Sequence, residues 1–325
     1  MNSLIKQQMD QFLQVQATMM AEIKASNATV AELQAGMVEL KKELASISYH
    51  TMLAYDRAQC VLRQEWVVSE TLQQHELSLF RHYAHVYSQN GEDGIIAEIF
   101  RRIGEKTFFF VEVGCGDGNQ NNTRLLLERG WEGVWIDADV EAIERAKFYY
   151  SNYINGGALK VVCSPVTVEN INPLLRSLGV PSLIDFLSVD IDLNTSHLWR
   201  TIQTRSRVSC LEFNASLPPS LYMEVIYDPK AVCDGTNYFG ASLKAMEVIG
   251  RTKGQSLVGC DQTGINAFFV DASETSGRFL EPFTSEFHYI PPGYAFVHHT
   301  GHRRHPFARS WLIADQKHSN GQLDS

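Results

Sequence analysis

Between Phe108 and Asp137 the chain runs through an apolar stretch, Phe108-Phe109-Phe110-Val111-Glu112-Val113, into Gly114-Cys115-Gly116-Asp117-Gly118. A polar helix start follows, and then a second apolar stretch, Trp131 to Ile136, closed by Asp137. Alternating glycines weaken a strand or a helix but open the left-handed backbone region that a tight turn needs. Strand, glycine turn, helix and second strand in this order form a βαβ unit, and ligands bind such units at the carboxyl edge of the parallel sheet. This stretch therefore commits the chain to an α/β architecture with a site above the glycines.

A dinucleotide turn of the G-x-G-x-x-G kind needs a small third residue at position 119, where this chain has Asn119. The spacing is instead Gly114, Gly116, Gly118, which suits close backbone approach to a nucleoside carrying an amino-acid tail and no pyrophosphate. Glu112 adds a carboxylate near such a tail. Asp137, at the end of the next strand, is placed to accept hydrogen bonds from ribose hydroxyls. S-adenosylmethionine has these parts, so a class I methyltransferase core is expected. A plain strand-to-helix connection is the competing reading of the triplet alone, and the two acids weigh against it.

Several further motifs stand around this turn: Ser88-Gln89-Asn90-Gly91-Glu92-Asp93-Gly94, Ser188-Val189-Asp190-Ile191-Asp192, Glu212-Phe213-Asn214, and the loop Asp234 to Ser242. Together with Val111 to Gly118 and Trp131 to Asp137 they resemble the FkbM-like methyltransferases, over about Tyr87 to Val270. The resemblance implies a Rossmann-like seven-strand fold, S-adenosylmethionine as donor, and O-methylation, often of a sugar or natural-product hydroxyl. It also implies that the segment holding Gln89 and Asn90 folds over the donor. From the residues alone, Asn90 and Asp93 are helix caps.

The run Leu183 to Asp192 reads as a buried strand ending in acids. On a strand, residues two apart share a face, so Asp190 and Asp192 are expected to project together at the ligand edge. The next strand, Val208 to Phe213, repeats the device with Glu212 and Asn214. Crowded carboxylates repel unless protonated or bridged, and an all-oxygen set of Asp190, Asp192, Glu212 and Asn214 suits Mg²⁺ or Mn²⁺. Such an ion would acidify an acceptor hydroxyl, with Asp190, Glu212 or His197 taking its proton. Acids that bind acceptor hydroxyls without a metal, and a His197 that merely caps a helix, are the alternatives. The loop Asp234 to Ser242 offers hydrogen bonds to an acceptor, with Ser242 able to cap the helix after it. Ser256 to Cys260 and Ala267 to Val270 read as a closing antiparallel hairpin around Gln262-Thr263-Gly264.

From Ile5 an alternating four-three spacing runs through Met9, Phe12, Gln16, Met19, Ile23, Ser26, Val30, Leu33, Met37, Leu40 and Leu44, apolar at ten of twelve positions. This predicts a coiled coil holding a parallel homo-oligomer, with Gln16 and Ser26 as the polar seam positions that set register. The mixed core follows neither the dimer nor the tetramer rule, and a trimer is the expectation. A helix from Ser3 to Ser46 would span roughly 65 Å. The expected organisation is thus a coiled coil over 1–48, a helical connector over 49–86, and a methyltransferase domain over 87–325.

With 28 basic and 37 acidic residues the 325-residue chain carries a net charge of −9, which argues against a nucleic-acid surface. No apolar run reaches membrane-spanning length, and six scattered cysteines without a C-x-x-C pair favour reduced thiols, so a cytoplasmic setting is expected, or one peripheral to the inner membrane through a partner. A carbohydrate O-methyltransferase is the leading expectation, and work on the end of a surface polysaccharide beside a synthesis partner is a further one. A metal-dependent glycosyltransferase using Asp190-Ile191-Asp192 as a D-x-D motif, and an inactive scaffold, are the rivals. The run His298 to His305 reads as a solvated basic tail.

Overall fold

The computed structural model describes residues 68–293 other than 234, the backbone of 311–313, and a subset of positions between 14 and 47. The chain divides into two compact units, Met1–Ala58 and Gln59–Ser325. In the first, every described position is helical, and the seam residues Val30, Leu33, Met37, Leu40 and Leu44 are 49–65% exposed in the single chain. Seam positions 5, 9, 12 and 23, connector residues 49–67, Asp234 and the basic tail 298–305 lie outside the described residues.

The described part of the expected connector is not a continuous helix. Ser69 caps a five-residue helix, Glu70–Gln74, by accepting from Leu72 N, and a single 3-10 turn follows at Phe80–His82. Packing, more than helicity, fixes this segment: Leu72, Leu79 and Phe80 are buried in the hydrophobic core of the second unit.

The second unit is built on a seven-stranded sheet: β1 (Phe109–Val113), β2 (Glu132–Asp137), β3 (Leu159–Cys163), β4 (Leu183–Val189), β5 (Arg205–Glu212), β7 (Gln255–Cys260) and β8 (Asn266–Asp271). Their order is β3-β2-β1-β4-β5-β8-β7. β1 to β5 pair in parallel; β8 runs antiparallel to both β5 and β7. This is the Rossmann-like class I methyltransferase sheet, with the expected closing hairpin. A two-stranded ladder, β6 (Met223–Val225) with β9 (Trp311–Ile313), stands apart.

Strand side chains alternate between faces, so each strand feeds two cores. Phe110, Trp135, Phe186, Val208 and Phe268 pack on one side with Ile95, Ile99, Leu126 and Ile143. Val111, Val134, Leu187, Leu211 and Phe269 pack on the other with Leu175, Trp199 and Met246. Glu112 shares its face with Phe110, which places a carboxylate in the first core. From β1 the chain moves outward to β2 and β3, then crosses back to β4 and β5. The reversal opens a crevice above the carboxyl ends of β1 and β4.

The opposite edge is tied by a buried cation. Arg207 Nη1 donates to Asp185 Oδ1 at 2.8 Å and Arg207 Nη2 to Glu274 Oε2 at 2.6 Å, while Asp185 Oδ2 accepts from the backbone N–H of Lys106, Thr107 and Phe108. No helix among the described residues is long and apolar enough to cross a membrane. The five described cysteines are all free.

Candidate active site

A cleft of about 630 Å³, counted to its open mouth, lies at the β1/β4 crevice. Gly114, Gly116, Glu112, Gln89, Asn90 and Asp190 all reach its wall, so the structure brings together half of the residues singled out from sequence.

The three glycines serve different ends. A Cβ on Gly114 (φ +87°) would run into the backbone carbonyl of Asp190, so this glycine lets β1 and β4 close on each other. At Gly116 (φ +55°) a Cβ would meet nothing within 4 Å, which leaves its backbone facing open space. At Gly118 (φ +79°) a Cβ would stand 2.5 Å from the Trp135 ring and 2.8 Å from that of Tyr150. Gly118 is absent from the cleft wall; its carbonyl accepts from Tyr150 Oη at 2.7 Å. Expected to line the donor, it is instead a packing glycine, because the turn has already left the cleft and is descending into the helix.

Asp137 also lies off the wall. Its Oδ2 accepts from Gly116 N and its Oδ1 from Asp139 N, both at 2.8 Å, so it braces the glycine turn and keeps further lone pairs on each oxygen. Glu112 reaches the wall but is occupied by its own chain. Asn122 N donates to it at 2.8 Å, Thr123 N at 3.1 Å, and the Thr123 hydroxyl also donates, itself accepting from Trp135 Nε1 at 2.7 Å. Burial pushes the Glu112 carboxyl up to about 7, against the pull of these hydrogen bonds. Thr123, the N-cap of the helix Arg124–Glu128, makes no side-chain cap bond; its hydroxyl is turned to Glu112.

Asn90 and Asp93 are likewise not helix caps. Gly91, at φ +78°, is the N-cap of Glu92–Ile103 and makes no side-chain bond. Asp93 Oδ2 instead accepts from the backbone N–H of Val86, Tyr87 and Ser88, at 3.0, 2.6 and 2.8 Å, holding the preceding loop. Asn90 is held by Glu92, which takes its N–H at 2.8 Å and its Nδ2 at 3.1 Å.

Glu92 is a wall residue that the sequence reading missed, as are Asn121 and Asn266. Glu92 Oε1 accepts from Asn266 Nδ2 at 2.7 Å across the sheet. Both polar atoms of Asn121 and Oδ1 of Asn266 are buried without a hydrogen-bond partner. Buried polar groups are normally paired, so orphans at a cleft wall mark places for a ligand's polar atoms. The register of β8 on β5, which sets Asn266 opposite Glu212, is the signal that could have found Asn266.

On the other side of the cleft, the carboxyl groups of Asp190 and Glu212 are hydrogen-bonded to each other, and Glu212 Oε2 is buried without a partner. Burial raises both carboxyls, and the repulsion of neighbouring acids adds to it. Asp192 does not join them inside the cleft. It sits at φ +57°, exposed, because the chain turns into a 3-10 helix directly after Ile191.

Two further expectations are corrected. Asn214 is not available to a metal: its Nδ2 donates to the carbonyls of Asn237 (3.1 Å) and Phe239 (2.9 Å), and its Oδ1 accepts from Ser216 N and Oγ. It anchors the loop that ends at Ser242, which does cap Leu243–Thr252 by accepting from Ala245 N at 3.2 Å. His197 does not face the cleft: its ring lies 2.8 Å, through Nε2, from Val225 O, and Arg200 Nη1 stands 3.4 Å from Nδ1. Both ring nitrogens are thus engaged. The expected Asp190, Asp192, Glu212 and Asn214 metal set is not assembled, and no group of three or more His, Cys, Asp or Glu among the described residues is arranged to hold an ion.

The charge of the cleft wall is one-sided. Glu92, Glu112, Asp117 and Asp190 contribute to it, and no lysine, arginine or histidine does. Such a wall suits a cationic ligand and disfavours a phosphate-bearing one.

No protein-family model and no curated protein sequence matches the chain. Among solved structures it is similar to an S-adenosylmethionine-dependent methyltransferase from Clostridium acetobutylicum, at 8% identity over 56% of this chain and 92% of that one, TM-score 0.37. It is also similar to the N-terminal domain of EvdMO1 with SAH bound (13% identity, 57% and 80% covered, TM-score 0.37). A third likeness is to magnesium protoporphyrin IX methyltransferase (ChlM) from Synechocystis PCC 6803 with bound SAM (13% identity, 55% and 76% covered, TM-score 0.35). Likenesses this distant carry no argument about function, which rests on the site itself.

Proposed function

We propose that this protein is an S-adenosylmethionine-dependent O-methyltransferase of the FkbM-like kind, acting on a carbohydrate hydroxyl. The observation that carries the reading is the acidic cleft at the topological switch point, with the open backbone of Gly116 and the orphaned Asn121 amide in or beside its wall. A net-positive adenosyl ligand fits this chemistry. A nucleotide sugar would bring a pyrophosphate to a wall without a cation, and Asp192 is exposed and off that wall, so the D-x-D reading finds no support.

The donor, when bound, supplies a methyl group activated by its sulfonium. The chain's residues have three tasks. Gly114 and Gly116 admit the nucleoside, Asp137 offers its spare lone pairs to ribose hydroxyls, and the Asp190–Glu212 pair takes the proton of the acceptor hydroxyl. No step is routed through a metal, because the donor set does not fit one. Half-exposed Val30, Leu33, Met37, Leu40 and Leu44 support a homo-oligomer built through residues 5–44, for which a trimer is the expected order. A cytoplasmic enzyme meeting the end of a growing surface polysaccharide at its synthesis machinery is the setting in which a long oligomerising arm has a use.

Incubation with methyl-labelled donor and a glycan extract of the host tests the class. Label in glycan is expected. Label only in protein or lipid would sink the carbohydrate reading, and tight UDP-sugar binding with none of S-adenosylhomocysteine would reverse the ranking against a glycosyltransferase.

A further inference from the structure

The cleft holds more negative charge than the protein's own cations answer. Glu92 and Asp190 stand in its wall and Glu112 beside them. Two more acids lie behind: Glu212, bonded to Asp190, and Asp261, which accepts from the backbone of Asn266, whose side chain in turn holds Glu92. The partners of Glu92 and Glu112 are amides and a hydroxyl, and none of the leading charges acting on Asp190, Glu212 and Asp261 is a lysine, arginine or histidine. Asp117, at the rim, does have a cation, with Arg145 Nε at 3.3 Å, as does Asp185 on the far edge of the sheet, with Arg207. Burial raises Asp190, Glu212 and Asp261, and the repulsion of the neighbouring acids adds to it. A positive charge arriving in the cleft relieves that repulsion; a neutral one does not.

From this arrangement we infer that the cleft discriminates by charge between the methyl donor and its spent product, with Asp190 and Glu92 as the specificity-determining residues. The inference rests on the donor reading above and goes beyond it. When the acceptor oxygen bonds to the methyl carbon, the carbon–sulfur bond breaks and its electron pair stays on sulfur. The sulfonium becomes a neutral thioether, and the hydroxyl proton passes to a carboxylate. Once that proton is lost to water, the cleft regains a charge that S-adenosylhomocysteine cannot answer and the next donor can. Product inhibition is thereby weakened by the residues that attract the donor.

Calorimetric titration of the full chain tests this with two non-reacting ligands. In sinefungin a protonated amine on carbon replaces the sulfonium; S-adenosylhomocysteine has the neutral sulfur. Sinefungin is expected to bind roughly tenfold tighter or more. Asp190→Asn, which keeps the hydrogen-bonding shape, is expected to narrow that ratio severalfold by weakening sinefungin and sparing S-adenosylhomocysteine. Glu92→Gln is the second variant, and thermal melting confirms that each is folded. Equal affinities in the wild type would overturn the inference while leaving the donor reading intact. An unchanged ratio in both variants would overturn the assignment to these residues. Failure of both ligands to bind the wild type would bring down the donor reading and the inference with it.

Discussion

Gly116→Ala and Gly118→Ala separate the two roles assigned to the glycine turn. Both residues have positive φ, +55° and +79°, and an L residue in that region costs about 1–2 kcal/mol. At Gly116 the new methyl enters open space, so strain is the whole cost: about 1 kcal/mol of stability, with the methyl now standing where the nucleoside should approach. At Gly118 the methyl would lie 2.5 Å from the Trp135 ring and 2.8 Å from that of Tyr150. Both rings are buried and stacked edge-on, centroids 4.7 Å apart, so neither can swing away. Overpacking of this kind adds about 1–3 kcal/mol to the strain, for a total near 2–5 kcal/mol, a large part of the ~5–15 kcal/mol that holds a domain together. Urea unfolding should therefore show a small midpoint shift for Gly116→Ala and a large one for Gly118→Ala. Titration with S-adenosylhomocysteine should show the reverse order, with binding largely lost only in Gly116→Ala. Equal stability of the two variants would refute the packing role of Gly118. Unimpaired binding by Gly116→Ala would refute the site.

Three further outcomes follow from the same geometry. Arg207→Met removes the cation between buried Asp185 and Glu274, leaving an uncompensated carboxylate, and should cost about 3–5 kcal/mol in chemical denaturation without altering ligand affinity in the folded fraction. Asn121→Ala breaks no hydrogen bond that the chain itself makes, so stability should be nearly unchanged, while affinity for S-adenosylhomocysteine should fall by up to about tenfold, one hydrogen bond being worth ~0.5–1.5 kcal/mol; unchanged affinity would remove Asn121 from the site. For Glu112 the folded-state value, about 7, lies above the reference 4.5, so the folded state binds the extra proton between these limits. Its contribution to stability is complete below pH 4.5 and is lost as pH rises through 7. The stability difference between wild type and Glu112→Gln, measured by urea unfolding at pH 5 and pH 8, should accordingly shift in the variant's favour at the higher pH.

The sheet was legible in the sequence because each of its signals is local. Phe109 to Val113 and Leu183 to Val189 announce buried strands, and Ser242 caps the helix Leu243–Thr252. The glycine turn placed the cleft for the same reason. The connector was less legible: Leu72, Leu79 and Phe80 show apolar spacing, but whether such residues ride a helix or an irregular strap depends on the surface that receives them, which lies far along the chain. Asn266 was illegible for a related reason. Nothing near it in sequence says that it will face Glu92, 174 positions earlier; only the pairing of β8 with β5 does.

The acids show where local reasoning stops. An acid at a strand's carboxyl end is equally suited to a ligand, a metal, or a backbone amide of its own chain, and which it serves depends on what else is close. Glu112 and Asp137 were consumed by the turn they were expected to complement, since the amides of Asn122, Thr123 and Gly116 would otherwise be left without strong acceptors. Asn214 went to the carbonyls of Asn237 and Phe239. What remains is the Asp190–Glu212 pair, the charge of Glu92, which only amides answer, the Asn121 amide, and the lone pairs that Asp137 has to spare. That residue of unanswered polarity is a narrower statement than the motif list, and it is the one with chemical content: carboxyl groups short of a cation, and an amide short of a partner, on the walls of one cleft.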